Sequence, residues 1–237
     1  LFKEVKNIRD EIKKLQAYNE EKLYHEANVI LGTPIGLHDS KIKSIEFDSL
    51  IMDEAGQCLE PLAWCLFPFA KKYVLAGDHY QLPPTVLSDE ANRLGFTKSI
   101  LEVCFANTQS IYLLDIQYRM RESIAGFSSQ YFYDSRLKSA EHLCNTGIHI
   151  IFYDTAGSGH QEERGANGSS LQNGGELEIA LKVIAHENFD ALKTAFISPY
   201  AGQVALAKES LPSLIRISTI DSFQGQEKET ILISLVR

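Results

Sequence analysis

Apolar residues Phe2, Val5, Ile8, Ile12 and Leu15 recur three and four apart, with Lys and Glu between them, and Tyr18 extends the series. That spacing is one stripe of an amphipathic helix, predicted to run to about His25 as either a packed helix or an arm. Beyond it the pattern changes to short apolar runs separated by segments of helical spacing. Strands are predicted at 28–32, 47–53, 72–76, 110–114, 148–153, 194–198, 215–219 and 230–236. Helices are predicted at 59–69, 88–94, 99–106, 121–132, 176–187 and 201–211. A polar turn is expected at 33–36. Residues 156–175 hold six of the fifteen glycines and almost no apolar side chains, which makes a loop. Strands alternating with helices give an α/β fold with largely parallel sheets.

The 237 residues suffice for one large domain or two of moderate size, and 44% hydrophobic content supports a core. A formal net charge of −8 means that bulk charge does not announce a nucleic-acid partner; any such surface is a local groove. Cys58, Cys65, Cys104 and Cys144 lie far apart without a C-x-x-C, the pattern of reduced thiols in a cytoplasmic or nuclear protein. No run of about 20 apolar residues is present, so no membrane partner is expected. The chain starts at Leu1 and stops at Val236-Arg237 inside a strand-like run, and is expected to be a piece of a longer polypeptide.

The chemistry centres on Leu50-Ile51-Met52-Asp53-Glu54-Ala55-Gly56-Gln57. An apolar run climbing to two acids reads as a strand buried on both faces, with its carboxylates at the carboxyl end, where α/β sheets bind ligands. Alone, such a pair is more often a solvated strand end; the motifs around it overturn that reading. Gly77-Asp78-His79-Tyr80-Gln81-Leu82-Pro83-Pro84 also follows a strand, and parallel pairing of the two strands would set both loops on one rim. Gly77 permits a sharp exit, and Asp78 and Gln81 offer groups for a phosphate, a water or the first acids. Gln117-Tyr118-Arg119-Met120 carries an arginine that either stabilises phosphoryl charge or pairs on the surface. In Thr219-Ile220-Asp221-Ser222-Phe223-Gln224-Gly225-Gln226-Glu227 the hydroxyls suit phosphate contacts. Asp221 is equally a helix cap, and Phe223 either stacks or packs.

Taken in order, these four blocks resemble the motifs of superfamily 1 helicases, over about residues 29–237. The branch they are most similar to moves five-prime to three-prime and is typified by the nonsense-mediated-decay RNA helicase and the Dna-two nuclease-helicase. The resemblance implies two RecA-like P-loop NTPase lobes, an incomplete first lobe over 1–115 with the N-terminal helix and a second over 116–237, with ATP in the cleft between them. It implies Mg²⁺ on Asp53, water activation by Glu54, γ-phosphate sensing by Gln81, and an arginine finger at Arg119. Gly225, Gln226 and Glu227 would approach the nucleotide. Thr33, Pro84, Thr219 and Ser222 would face the strand. The implied function is an ATP-dependent helicase or translocase on single-stranded DNA or RNA, with DNA favoured on overall resemblance and not on any residue.

One departure matters. The family's phosphate cradle is G-x-x-x-x-G-K-[ST], and no glycine here is followed by lysine. That cradle and the family's last arginine-rich motif are expected elsewhere in the parent polypeptide, and this chain alone is expected to be inactive as an ATPase. The rival expectation is a non-catalytic module that holds nucleic acid or a protein on a helicase-like fold without a P-loop.

Overall fold

The computed structural model describes residues 2–15, 20–39, 41–108, 110–144, 147, 149–165, 168 and 170–236. The chain divides into two units, Leu1–Leu113 and Leu114–Arg237.

In the first unit the amino-terminal stripe forms α1 (Phe2–Leu15), followed by α2 (Glu20–Glu26). Residues 16–19, through which one continuous helix was expected, lie outside the described residues. Val29 and Leu31 of the expected strand at 28–32 are exposed, and the segment has no ladder partner among the described residues. A β-prone run becomes a strand only where a neighbour completes its hydrogen bonds. The expected turn at 33–36 instead opens α3 (Pro34–Asp39). Pro34 suits a first helical position, and Thr33 Oγ1 accepts from the Gly36 amide at 3.2 Å.

β1 (Phe47–Met52) precedes α4 (Glu60–Trp64), β2 (Ala70–Leu75), α5 (Asp89–Arg93) and α6 (Ile100–Phe105). The helix expected over 59–69 is interrupted. Pro68 lacks an amide donor and disfavours helical geometry at Phe67, and a 3₁₀ turn at Phe67–Phe69 takes over. β1 and β2 pair in parallel, Phe47 beside Ala70 and Met52 beside Leu75. Met52, Ala63, Leu66, Phe67 and Ile100 form the core of the unit. Burial of β1 on both faces is not observed: Asp48, Ser49 and Ile51 are exposed, because this is a two-stranded sheet and the helices cover only the face carrying Met52. α6 starts on a capping box, in which Ser99 Oγ accepts from the Glu102 amide (3.2 Å) and Glu102 Oε2 accepts from the Ser99 amide (2.8 Å).

All four cysteines are free. Burial pushes the Cys58 thiol up, and burial followed by the charge of Glu60 pushes up that of Cys104. The thiolate is the nucleophile, so iodoacetamide at pH 8 is expected to label exposed Cys65 and Cys144 well before Cys58 and Cys104. Peptide mass spectrometry over a time course would read this, and equal rates at all four would contradict the packing around Cys58 and Cys104.

The second unit runs β3 (Ile116–Gln117), α7 (Glu122–Phe132), β4 (Lys138–Ser139), β5 (Glu163–Arg164), β6 (Leu171–Gln172), α8 (Gly174–Glu187), β7 (Thr194–Ser198), α9 (Ala201–Ser210), β8 (Arg216–Thr219), α10 (Ile220–Phe223) and β9 (Thr230–Ile233). β8-β7-β9 form a parallel sheet, and β3 and β4 a parallel pair. β7 is buried at every residue, as a central strand should be. Leu177 and Ala180 of α8, Val204 and Ala207 of α9, and Phe196 and Ile217 of the sheet make the core. The described residues of the strands expected at 110–114 and 148–153 are unpaired and carry exposed Tyr112, Leu114 and Phe152. The described residues of the glycine-rich segment form a loop as far as Asn173, with the short antiparallel pair β5–β6 inside it, and α8 starts at Gly174, two residues earlier than expected.

A buried polar cluster ties this unit together. Gln203 Oε1 accepts from the Asn173 amide (2.8 Å), and its Nε2 donates to Asn173 O (3.1 Å) and Ser234 Oγ (2.9 Å). Ser234 Oγ and the Val236 amide donate to Glu176 Oε2 at 2.6 and 3.0 Å. The cluster holds Val236 at φ 73°, a conformation β-branched residues seldom adopt.

Candidate functional site

The first unit supplies a rim of two loops. Because β1 and β2 are parallel and in register to their last residues, Asp53-Glu54 and Gly77-Asp78 leave the sheet side by side. Hydrogen bonding runs past the strands: the Ala76 amide donates to Met52 O (2.9 Å) and the Ala55 amide to Ala76 O (2.8 Å). Glu54 sits between them in the left-handed region, φ 51° and ψ 39°. There the chain reverses sharply, leaving both acids exposed. Asp53 Oδ1 accepts from the Glu54 amide (3.0 Å), and Glu54 Oε2 from Gln57 Nε2 (3.2 Å).

The loops interlock through their glycines. A Cβ on Gly56 would lie 2.6 Å from the Asp78 carbonyl oxygen, and one on Gly77 2.9 Å from the amide nitrogens of Ala55 and Gly56. Only glycine permits this approach. Asp78 then shapes its own loop, accepting from the Tyr80 amide (3.0 Å) and from Gln81 Nε2 (2.9 Å). His79 packs between the rings of Tyr80 and Phe105, at 4.1 and 4.7 Å. Pro84 is buried, whereas the resemblance placed it facing a strand. Thr33 is exposed, and its hydroxyl caps α3.

The second unit brings two motifs together across 108 residues. Arg119 Nε donates to Glu227 Oε2 at 3.2 Å, with side chains 56% and 71% exposed. An exposed pair of this kind contributes about 0–1 kcal/mol and exchanges readily for a better anion. Gln226 bridges back, its Nε2 donating to Ser222 O (2.9 Å) and its Oε1 accepting from Arg216 Nε (3.2 Å). Gly225 has φ 77°, and a Cβ there would meet nothing within 4 Å. The cap of α10 is Thr219, not Asp221: Thr219 Oγ1 accepts from the Ser222 amide (3.3 Å) and donates to Ser222 Oγ (3.0 Å). Phe223 packs with Ala195 and Ile197 in the interior, so it does not stack on a ligand.

Two family models, each described as an AAA domain, match residues 1–89 and 96–237. The chain is 32% identical over 267 residues to the DNA polymerase alpha-associated DNA helicase A of Schizosaccharomyces pombe, covering 100% of this chain and 39% of that protein. It is 30% identical over 261 residues to the ATP-dependent helicase upf1 of the same yeast, covering 98% and 28%. It is 36% identical over 219 residues to Helicase SEN1 of Saccharomyces cerevisiae, covering 81% and 10%.

The chain belongs to the superfamily 1 helicases, in the upf1-like branch. Its parallel strands and intervening helices are those of the α/β RecA-like helicase fold. It spans less than two fifths of the length of these three relatives. Within this helicase segment, sequence reasoning passed over two contributors. Gly56 is the seat of the Asp78 carbonyl. Gln117 folds the turn that carries Arg119. Both stand inside the motifs above, but their work shows only in the contacts they make in the fold.

Proposed function

We propose that this chain is part of the motor of an ATP-dependent nucleic-acid helicase, one that couples ATP hydrolysis to movement on single-stranded nucleic acid. The observation that carries the proposal is the interlocked rim: an exposed acid pair and a glutamine loop held side by side at the carboxyl ends of parallel strands. That is the arrangement needed to bind a nucleotide's metal and orient an attacking water. Asp53 offers one hard oxygen ligand, and among the described residues no group of three or more His, Cys, Asp or Glu is arranged to hold a metal. One carboxylate completed by nucleotide phosphates and water is the usual manner of Mg²⁺, so Asp53 fits that ion. When bound, Mg²⁺ neutralises charge on the phosphates.

The remaining roles belong to the chain itself. Glu54, exposed and aimed outward by its left-handed backbone, orients and deprotonates the water. Gln81 exchanges its bond to Asp78 for the γ-phosphate. In the second unit Arg119 exchanges its single exposed bond to Glu227 for a phosphoryl group, whose oxygens the guanidinium fork can hold in pairs. The freed Glu227 carboxylate, with Gly225 and Gln226, lies against the nucleotide. Thr33, Thr219 and Ser222 present hydroxyls to the strand backbone; buried Pro84 is left out of that contact. DNA is favoured over RNA as the strand, because the similar DNA polymerase alpha-associated DNA helicase A carries DNA in its printed name.

Strand binding is open to a direct test on the 237-residue chain. Affinity for a fluorescent single-stranded oligonucleotide is expected to fall linearly with salt on a double-logarithmic plot. Ser222→Ala should weaken it roughly tenfold, the scale of one hydrogen bond to a charged group. The Thr219 cap acceptor survives in that variant, so the melting temperature should hold. Salt-independent binding, or an unaffected Ser222→Ala, would remove the strand site from this segment.

A further inference from the structure

We propose that Gln117 and Ser139 are positioning residues that fold the 118–120 turn and thereby aim Arg119. Gln117 Oε1 accepts from the amides of Arg119 (2.8 Å) and Met120 (2.7 Å). Its Nε2 donates to Met120 O (2.5 Å) and to Ser139 Oγ (2.5 Å). A glutamine amide has two donor hydrogens and two acceptor lone pairs, and all four are engaged here.

The geometry explains why a side chain does this work. Residues 118–120 belong to no helix or strand, so their amides have no regular ladder to join. Gln117 is the last residue of β3, and the parallel register sets it directly beside Ser139 of β4. The Ala140 amide donates to Gln117 O at 2.9 Å, which fixes the main chain from which the amide reaches. Gln117 is half-buried, so water competes weakly for its bonds. Arg119 is therefore held at two points: its amide by Gln117 and its guanidinium by Glu227. No other residue type reproduces the set. Glutamate has no donor, asparagine is one carbon shorter, and leucine offers nothing. That the aimed guanidinium serves a phosphoryl group rests on the function proposed above; the aiming itself does not.

The test separates the two. In ¹⁵N–¹H spectra of the full chain, the Arg119 Nε–H resonance reports its bond to Glu227, and Glu227→Gln assigns its bonded position. Gln117→Leu is expected to move that resonance to the position of a free, solvated arginine while the other arginine signals stay in place. Ser139→Ala, which removes one bond of four, should move it part of the way in the same direction. If the resonance keeps its position in both variants, the positioning role is wrong. Should Gln117→Leu fail to fold, Ser139→Ala alone decides. A titration with MgATP then addresses the phosphate. Arg119→Ala and Gln117→Leu should each weaken binding about tenfold, the scale of a charge-assisted hydrogen bond. The double variant should be no weaker than Arg119→Ala, because Gln117 acts only through Arg119. If Arg119→Ala binds MgATP as the unaltered chain does, while Gln117→Leu still moves the resonance, the phosphate reading falls and the positioning role stands. If Gln117→Leu weakens binding further in the Arg119→Ala background, Gln117 acts by another route and the inference is overturned.

Discussion

ATP turnover by this 237-residue chain is expected to stay at background, with or without single-stranded nucleic acid. The chain carries an acid pair, a glutamine and an arginine suited to phosphoryl transfer. It contains no glycine followed by lysine, and so no G-x-x-x-x-G-K-[ST] to cradle the β- and γ-phosphates. Phosphoryl transfer depends on positioning and charge stabilisation far more than on covalent chemistry, so the cradle's backbone amides and lysine are the largest single loss. One preorganised donor is worth about 10²–10³ in kcat, and the cradle supplies several. In a longer polypeptide that includes this segment and the cradle, strand-stimulated turnover should be present. Glu54→Gln should lower it by about 10²–10⁴, the usual contribution of a general base, with nucleotide affinity little changed. A continuous phosphate-release assay on both polypeptides would measure this. Brisk strand-stimulated turnover by the 237-residue chain, abolished by Glu54→Gln, would show that the cradle is dispensable and sink the proposal.

Much of this follows from local signals. The apolar run ending in Asp53-Glu54, and a second ending before Gly77, already specify two strands with polar loops beyond them. α/β alternation then makes them parallel, which puts both loops on one rim. Thr219 directly before a short helix is a cap signal of the ordinary kind, and the more conspicuous Asp221 obscured it. What stayed hidden is long-range. Nothing in the spacing of Arg119 and Glu227 says that they meet across 108 residues, or that Gln117 reaches Ser139. Over-assigned strands have the same origin. Residues 28–32 and 110–114 have the composition of strands, but pairing is decided by neighbours far away in sequence. Gly77 reads as a turn residue and Gly56 carries no signal of its own, while their requirement comes from each other's loops.

That mutual requirement predicts the largest stability effect. Gly56→Ala is expected to destabilise the first unit by about 2–3 kcal/mol, the upper range for overpacking a tight interior contact. The added methyl would sit 2.6 Å from the Asp78 carbonyl oxygen, a backbone atom that cannot swing aside. Gly77→Ala should be comparably harmful, since its methyl meets two backbone amides at 2.9 Å. Gly95→Ala is the control: it also has positive φ, 83°, but open space around the Cβ position. It should cost only about 1 kcal/mol, the backbone penalty alone. The single tryptophan makes this measurable. Trp64 lies in α4 of the first unit, edge-on to Phe67 at 5.0 Å, so its fluorescence follows the unfolding of that unit. With a urea slope of about 2 kcal/mol per molar, Gly56→Ala should lower the midpoint by at least about 1 M, and Gly95→Ala by about half that. Equal midpoints for Gly56→Ala and the unaltered chain would mean that the loops are not locked. The consequence reaches past stability. The same close approach of Gly56 to the Asp78 carbonyl, with no room for a Cβ, seats the loop of Gln81 against the loop of Glu54. On the function proposed above, the sensor and the hydrolytic acid would then move as one body, and two side-chain-free residues are what let the two backbones approach.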